Sequence, residues 1–568
     1  MPAESSNGAG VSLTPHLVSK VNDLLQGQSM CLKKSSEVKY FRDKQELVLL
    51  KKAIMRVAFR VDASEQIGIG HLIRCMVLAD QLVTQGVSVQ FVCVKSDEQS
   101  YTHLELVDHP VIFLEKKCGS RNKVRDHISP ETIWPLDQQE VDAVETIRAL
   151  SQQPPCDWLV VDHYGLDMVW ENSVRVLTQR IMVIDDLANR HHDCDLLLDQ
   201  GYCFGYEDRY STLLKKNCRV ALGPGYALLA PEYRQLRRNP NPSRELVRNI
   251  LVCFGGSDQK RLYRLVVEAF ESIDMGSTRL TVVLGGSSQH LAFFERLTHH
   301  DKRVCIYKKQ TTLASFMATA DLFVGSIGMT TWERCCLGIP TIAISLADNQ
   351  EQIAERLNSE GVIKWVGNKE SINCGGLKEQ FLSFLETADT GIDRDRQCTL
   401  VDGRGVLRIV TALYARRAQN VEIRPAVISD EEELLHWVND PEATRFSFRG
   451  RSVEYAEHKE WFRDQLASIE SEIFIGQLED GMPIGQIRFS RQSRAWIITY
   501  SIESSLRGLG YGKQLLEKGI EAFRDKGHTG LLCAEVHEVN SASVSLFSNL
   551  NFSKVKGKKP GLIEFEKT

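Results

Sequence analysis

The strongest constraint on this chain is a recurring alternation of short β-branched runs with longer segments of helical periodicity. Strand-like runs stand at Ile54–Val61, Val87–Val94, Trp158–Asp162, Ile181–Ile184 and Asp195–Leu198. Between the first two, Leu72, Cys75, Met76, Ala79, Leu82 and Val83 fall at helical spacing. After a Pro-rich stretch, Pro231–Pro242, a second series begins, with Ile250–Phe254, Leu280–Leu284, Val304–Tyr307, Leu322–Gly325 and Thr341–Ser345. Strands joined by helices pair in parallel and are covered on both faces. The chain is therefore expected to hold two similar α/β halves around the Pro-rich joint, with a cleft between them.

The texture changes at Val421, after a helix expected near Gly405–Gln419. The order becomes a strand (Val421–Pro425), helices (Asp430–Val438 and Val453–Ala467), hairpin strands (Glu472–Leu478, Ile484–Phe489, Ala495–Ile502) and a Gly-rich turn into a helix. This reads as a mixed α+β domain of about 150 residues. The expected division is an extension over 1–54, poorly ordered or loosely docked, then 55–240, 241–420 and 421–568. Met55 is itself a possible start of the folded part. No repeat of 20–50 residues occurs, so a solenoid is excluded.

Composition agrees with a folded chain. Its 568 residues suit two to four domains, and 43% hydrophobic with 25% charged residues excludes disordered and fibrous classes. The formal net charge of −5 offers no bulk attraction to nucleic acid. No apolar run approaches the roughly 18 residues of a membrane helix, and Met1–Ala9 lacks the pattern of a signal peptide. The expected compartment is the cytoplasm, with no membrane partner. The fifteen cysteines are scattered and include no CxxC pair, which argues for buried free thiols and against structural zinc; no metal is expected.

Two loops in the α/β part attract chemistry. The first strand feeds Asp62-Ala63-Ser64-Glu65-Gln66-Ile67-Gly68-Ile69-Gly70-His71 at the C-terminal edge of the expected sheet, where open α/β folds bind ligands. Gly68 and Gly70 allow backbone N–H groups to approach a phosphate or sugar, but Arg74 stands near the place of the third glycine of a dinucleotide fingerprint. At a helix N-terminus the macrodipole favours a neutral His71, fit to take a proton from water. A histidine that caps or packs fits the spacing equally well. Asp62 either orients that histidine or forms a turn. In the second half, Ser326, Gly328 and Thr330 offer donors at a helix start, suited to a pyrophosphate, and Glu333 is placed for ribose hydroxyls or as a first-turn carboxylate. Asn349 and Gln350 carry amides able to read sugar hydroxyls, although Asn349 also fits a helix N-cap.

With these loops, Phe59–Ser64, Val161-Asp162-His163-Tyr164-Gly165, Ile184-Asp185-Asp186, Gly223-Pro224, Cys253–Asp258, Ser326–Glu333 and Asp348–Gln350 occur in order. From Met55 to Arg417 the chain resembles the UDP-2,4-diacetamido-2,4,6-trideoxy-β-L-altropyranose hydrolases of pseudaminic acid biosynthesis, which share the GT-B architecture of MurG-like glycosyltransferases. The resemblance implies two Rossmann-like halves of a GT-B type fold with a central cleft. It also implies that His71 activates a water to attack the anomeric carbon, releasing UDP with inversion. Substrate contacts are then expected from Arg60, Asp62, Gly68, Gly70, Arg74, His163, Tyr164, Gly256, Ser257, Ser326, Gly328, Met329, Thr330, Glu333, Asn349 and Gln350.

In the last domain, Arg507-Gly508-Leu509-Gly510-Tyr511-Gly512 opens a helix and is followed by Leu531–Val536, Asn540 and Phe547. Over Val421–Lys559 this order resembles the GNAT N-acetyltransferases, in the branch resembling ribosomal-protein-alanine acetyltransferases. The resemblance implies that the Arg507–Gly512 turn binds the acetyl-coenzyme A pyrophosphate and that Asn540 contacts the cofactor arm. Many members place a tyrosine general acid where this chain has Phe547, which has no proton to give. Glu503, Glu535 and His537 are candidate bases. In the route implied by the resemblance, a 4-amino UDP-sugar is acetylated just before UDP is removed, so a bifunctional enzyme is expected. The alternative is a GT-B glycosyltransferase with a degenerate or protein-directed GNAT domain.

Overall fold

The computed structural model describes residues 55–63, 69–94, 107–114, 132–237, 247–255, 259–274, 276–285, 301–308, 312–386, 391–415, 419–446, 453–479, 481–556 and 561–568. The expected N-terminal extension, Gly68, Gly256 and Ser257 lie outside these residues. The chain falls into two compact units that divide between Leu407 and Arg408, within the helix Gly405–Tyr414.

The first unit contains two parallel sheets. One is built from β1 (Arg56–Val61), β2 (Ser88–Val94), β3 (Val111–Leu114), β4 (Cys156–Asp162), β5 (Thr178–Ile184), β6 (Leu196–Asp199) and β7 (Arg219–Leu222), in the order β3-β2-β1-β4-β5-β6-β7. The other is built from β8 (Asn249–Cys253), β9 (Arg279–Leu284), β10 (Val304–Lys308), β11 (Leu322–Ser326), β12 (Thr341–Ser345) and β13 (Lys364–Asn368), in the order β10-β9-β8-β11-β12-β13. Helices join most successive strands, while β5, β6 and β7 follow one another without one; two such sheets are expected of the two halves of a GT-B type fold.

Central strands are apolar and buried because helices cover both faces. Ala58, Leu159, Val161 and Ile181 share one core cluster, and Ile250, Val252, Val324 and Ile342 share another. The order reverses between β1 and β4 in the first sheet and between β8 and β11 in the second. Such reversals leave a crevice at the strands' C-terminal ends. At the second, the β8 and β11 backbones approach closely, since a side chain at Gly325 would collide with the Cys253 carbonyl. The expected Pro-rich joint begins with a helix, Pro231–Arg237, because proline is tolerated in a first helical turn.

The second unit is a mixed sheet of β14 (Glu422–Pro425), β15 (Ser471–Gln477), β16 (Pro483–Gln492), β17 (Ala495–Ile502), β18 (Leu531–His537), β19 (Ser553–Lys556) and β20 (Leu562–Lys567), in the order β14-β15-β16-β17-β18-β20-β19. All neighbours are antiparallel except β17 and β18. Among the described residues no helix is long and apolar enough to cross a membrane, and the described cysteines are free thiols.

Candidate active sites

At the first reversal, His71 is the second residue of the helix Gly70–Thr84, while β4 ends in Asp162 and leads to Tyr164. His71 Nδ1 lies 2.5 Å from Asp162 Oδ1. A carboxylate only accepts, so Nδ1 is assigned the proton and Nε2 is the basic nitrogen. One turn along the helix, Arg74 donates from Nε to Asp162 Oδ2 at 2.6 Å, from Nη2 to Oδ1 at 2.6 Å and from Nη1 to Asp186 Oδ2 at 3.1 Å. Asp186 Oδ1 accepts from the Tyr164 hydroxyl at 2.6 Å, and the Tyr164 ring meets the His71 ring edge-on at 4.6 Å. Five side chains from three elements thus close a ring.

The electrostatics of this ring are set by Asp162, whose side chain is fully buried. Burial opposes its charge, but Arg74 and then His71 hold its carboxyl well below the usual carboxylate range. Burial, followed by the Asp186 charge, pushes the Tyr164 hydroxyl far up, so it remains a donor. His71 keeps a tenth of its side chain exposed. A neutral imidazole backed by a fixed carboxylate can accept a proton at Nε2 while the carboxylate stabilises the imidazolium that forms. Nearby, β6 ends in Asp199, whose carboxyl is pushed up to about 7 by burial despite Arg209 at 3.2 Å.

Arg60, Asp62 and His163 are among the expected contacts that lie outside this ring. Arg60 is completely buried between Asp62 at 2.7 Å and Asp142 at 2.6 Å, because a buried guanidinium requires counter-charges. Asp62 also accepts from the Val94 N–H and faces His163 Nε2 at 3.3 Å, while His163 Nδ1 accepts from the Gly165 N–H. The expectation that Asp62 orients His71 is corrected: Asp162 holds the histidine, and Asp62 neutralises Arg60. Asp162 and Asp186 stand within the Val161–Gly165 and Ile184–Asp186 motifs but received no role there, because as carboxylates closing apolar runs they carry the same signal as Asp62.

At the second reversal, β11 runs through Ser326 and Gly328 into the helix Met329–Leu337. The Thr331 hydroxyl accepts from the Gly328 N–H at 3.1 Å, and the Thr331 N–H returns to the Gly328 carbonyl at 2.9 Å. The Met329 and Thr330 N–H groups are left directed off the helix start. Glu333 Oε2 is buried with no hydrogen-bond partner among the described residues, and burial pushes its carboxyl up to about 7. Gln350 Oε1 accepts from the Leu346 N–H, tying its own loop together. Asn349 does not cap the next helix, whose N-cap is Gln350; it lines a cavity of about 300 Å3 with Asp348, Asn368 and Lys369.

In the second unit, β17 and β18 pair only over Ala495–Ile497 and Leu531–Cys533, then part. Arg507–Gly512 lies beyond the end of β17 and opens the helix Tyr511–Asp525. Gly508 (φ +76°) and Gly510 (φ +91°) adopt left-handed backbone that favours glycine, and no atom stands within 4 Å of a Cβ at either position. The turn is an open cradle of the kind that admits a phosphate to backbone N–H groups. The Tyr500 ring lies beside the Gly512 position, and its hydroxyl is 2.8 Å from Ser543 Oγ.

Residues 420–553 match the acetyltransferase (GNAT) domain family. The C-terminal part of this chain is a GNAT domain. Over its greater length the chain is similar to an uncharacterised protein of Methanocaldococcus jannaschii, 22% identical over 88% of this chain and 97% of that one, a span that has to run through both units. It is also similar to the UDP-2,4-diacetamido-2,4,6-trideoxy-beta-L-altropyranose hydrolase of Campylobacter jejuni, 24% identical over 54% of this chain and 97% of that one. The spore coat polysaccharide biosynthesis protein SpsG of Bacillus subtilis is 25% identical over 38% of this chain and 63% of that one.

Within the GNAT domain, the side chains differ in availability. Arg507 donates to Asp440 at 2.6 Å, and Asn540 Oδ1 caps its own helix through the Ser543 N–H at 3.1 Å. Leu509 is half-buried, and Tyr511 is buried in the core. Among the candidate bases, Glu503 is buried and accepts from Trp437 Nε1 at 3.2 Å and Ser504 Oγ at 3.0 Å, with His436 Nε2 at 3.1 Å. Glu535 is exposed, opposite Glu564. His537 stands at the parted end of β18, and its buried Nδ1 has no partner among the described residues. Phe547 packs in the core against Phe552 and Phe565 at centroid distances of 5.1 and 5.5 Å.

Proposed function

We propose that the chain is a bifunctional nucleotide-sugar enzyme. Its first unit hydrolyses a UDP-linked diacetamido-trideoxy sugar to UDP and the free sugar, and its GNAT domain acetylates the 4-amino precursor of that substrate. The observation that carries the hydrolase reading is the His71–Asp162–Arg74 arrangement, in which Nε2 makes no hydrogen bond among the described residues. Similarity to the Campylobacter hydrolase supports the choice of substrate.

In this reading, His71 Nε2 takes a proton from water as the water oxygen bonds to the anomeric carbon. The bond from that carbon to the phosphate oxygen breaks, and UDP leaves with the electron pair. Asp162 stabilises the imidazolium. The Met329 and Thr330 N–H groups receive the leaving pyrophosphate, and Glu333 accepts from ribose hydroxyls through its partnerless oxygen. Arg60 and Asp62 brace the ends of β1 and β2, with His163 beside Asp62; the pathway is that of a nonulosonate such as pseudaminic acid, in the cytoplasm.

The open glycine turn and the parted strands fit acetyl-coenzyme A, which would supply the acetyl group as a thioester. Gly508 and Gly510 admit its pyrophosphate, and His537 receives a proton from the amine. With phenylalanine at 547, the Tyr500 hydroxyl holds the proton for the departing sulfur. Burial keeps that hydroxyl protonated by raising it above the ordinary phenol value. Incubating the full chain with a UDP-4-amino sugar and acetyl-coenzyme A, and following mass, should show N-acetylation and then UDP release. Neither product appearing would overturn the proposal.

A further inference from the structure

Arg334 follows Glu333 on the helix Met329–Leu337 and is 1% exposed. Its Nη1 and Nη2 each donate to the Ser326 carbonyl at 3.1 Å, and Nη2 donates to Thr331 Oγ1 at 2.9 Å. The guanidinium lies 4.5 Å from the centroid of the Phe323 ring, and Nε has no acceptor among the described residues. The other buried arginines of this unit have carboxylates: Arg60 has Asp62 and Asp142, Arg74 has Asp162 and Asp186, and Arg190 has Asp185 at 2.8 Å. Arg334 makes no ion pair among the described residues. Its neighbour Glu333 makes none with it, and that carboxyl is itself pushed towards the neutral form.

Leaving a buried charge uncompensated is strongly unfavourable. Burial draws the Arg334 guanidinium down to about 10, so it is still a cation at neutral pH. The charge sits directly behind the turn whose first helical N–H groups point outward. It also holds the Ser326 carbonyl, whose oxygen would repel an anion, turned toward the guanidinium.

We propose that Arg334 is a positioning residue for an anion: the fixed counter-charge of a diphosphate bound at the Ser326–Thr331 turn, acting through the turn without touching the ligand. The inference rests on the reading of this turn as the nucleotide site. It deepens that reading by assigning the discrimination between a charged diphosphate and an uncharged nucleoside to one buried side chain.

Calorimetric titration of the full chain with UDP and with uridine tests this, using wild type, Arg334→Gln and Arg334→Lys. Arg334→Gln removes the charge while keeping a donor amide; it should weaken UDP about tenfold or more and leave uridine unchanged. Arg334→Lys, which keeps charge without the fork, should fall between it and wild type. Unchanged UDP affinity in Arg334→Gln, or equal losses for UDP and uridine, would overturn the inference and leave the nucleotide site standing. Wild type binding neither ligand would overturn both. If Arg334→Gln does not fold, thermal shifts decide: inorganic pyrophosphate should stabilise wild type more than sodium chloride of equal ionic strength, and Arg334→Lys less. No difference from chloride would count against the inference.

Discussion

Gly70 and Met329 face each other within the first unit: a methyl group built on Gly70 would lie 4.0 Å from Met329 Cγ. Gly70 opens the helix that carries His71 and Arg74, and Met329 opens the helix that carries Glu333 and Arg334. The two chain reversals therefore bring two helix N-termini to one place, where their positive ends favour an anionic ligand.

A methyl group there sits at ordinary contact distance from Met329. Gly70→Ala should keep UDP release within about twofold of wild type, while Gly70→Leu, which drives a branched side chain against Met329, should lower it by about tenfold or more. Steady-state UDP release, with circular dichroism as a control for folding, distinguishes these outcomes; full activity in Gly70→Leu would mean that the substrate does not pass between the two residues.

Removing the base should abolish hydrolysis. His71→Ala is expected to release no UDP above background while remaining folded. Asp162→Asn, which no longer fixes the Nδ1–H tautomer, should lose about 10²–10⁴-fold in kcat. Retained turnover in His71→Ala would remove the histidine from its assigned role.

The first unit also stores a buried pH-dependent pair. His192 Nδ1 lies 2.6 Å from Glu171 Oε1, and Nε2 lies 3.8 Å from Asp185. Burial works against its charge, but Glu171 and Asp185 raise His192 to about 9. A raised histidine contributes stability that is complete below its unfolded value of about 6.5 and is lost as pH rises through about 9. The wild-type unfolding free energy should therefore fall by about 3 kcal/mol across that window, and His192→Gln should flatten the fall. Asp185, held low by His192 and Arg190 against burial, acts in the opposite sense, its contribution being lost as pH falls through the acid range. Urea titrations at pH 6.5 and 9 provide the comparison; parallel curves for the two proteins would show that His192 is not charged in the fold.

In the GNAT domain, Tyr500→Phe should leave acetyl-coenzyme A binding intact and slow acetyl transfer by about 10²-fold. Thermal stabilisation by acetyl-coenzyme A gives the first quantity, and coenzyme A release with the amino sugar gives the second. Equal loss of both would mean that the hydroxyl supports the pocket instead of moving a proton.

Much of this was legible in the primary structure. The strands expected at Val87–Val94 and Trp158–Asp162 are observed at Ser88–Val94 and Cys156–Asp162, and Ala495–Ile502 is observed at its expected bounds. The strands not foreseen, β3, β7 and β13, are short edge strands of four or five residues with exposed or half-buried positions, so they carry little apolar signal. β19 and β20 escaped for the same reason, since their faces alternate weakly.

By itself the sequence determined the local chemistry: apolar period sets strand and helix, and glycine sets the open turn at Gly508–Gly510. Only the tertiary structure decided between Asp62 and Asp162. Asp62 follows β1 and Asp162 ends β4 in one sheet, and Val61 pairs in register with Asp162. Asp62 neutralises Arg60, and Asp162, 91 positions from His71, holds the imidazole. Spacing along a chain cannot carry that choice, because it depends on which strand the returning chain lays beside the first. The same holds for Arg334, whose missing counter-charge becomes visible only once everything that surrounds it is in place.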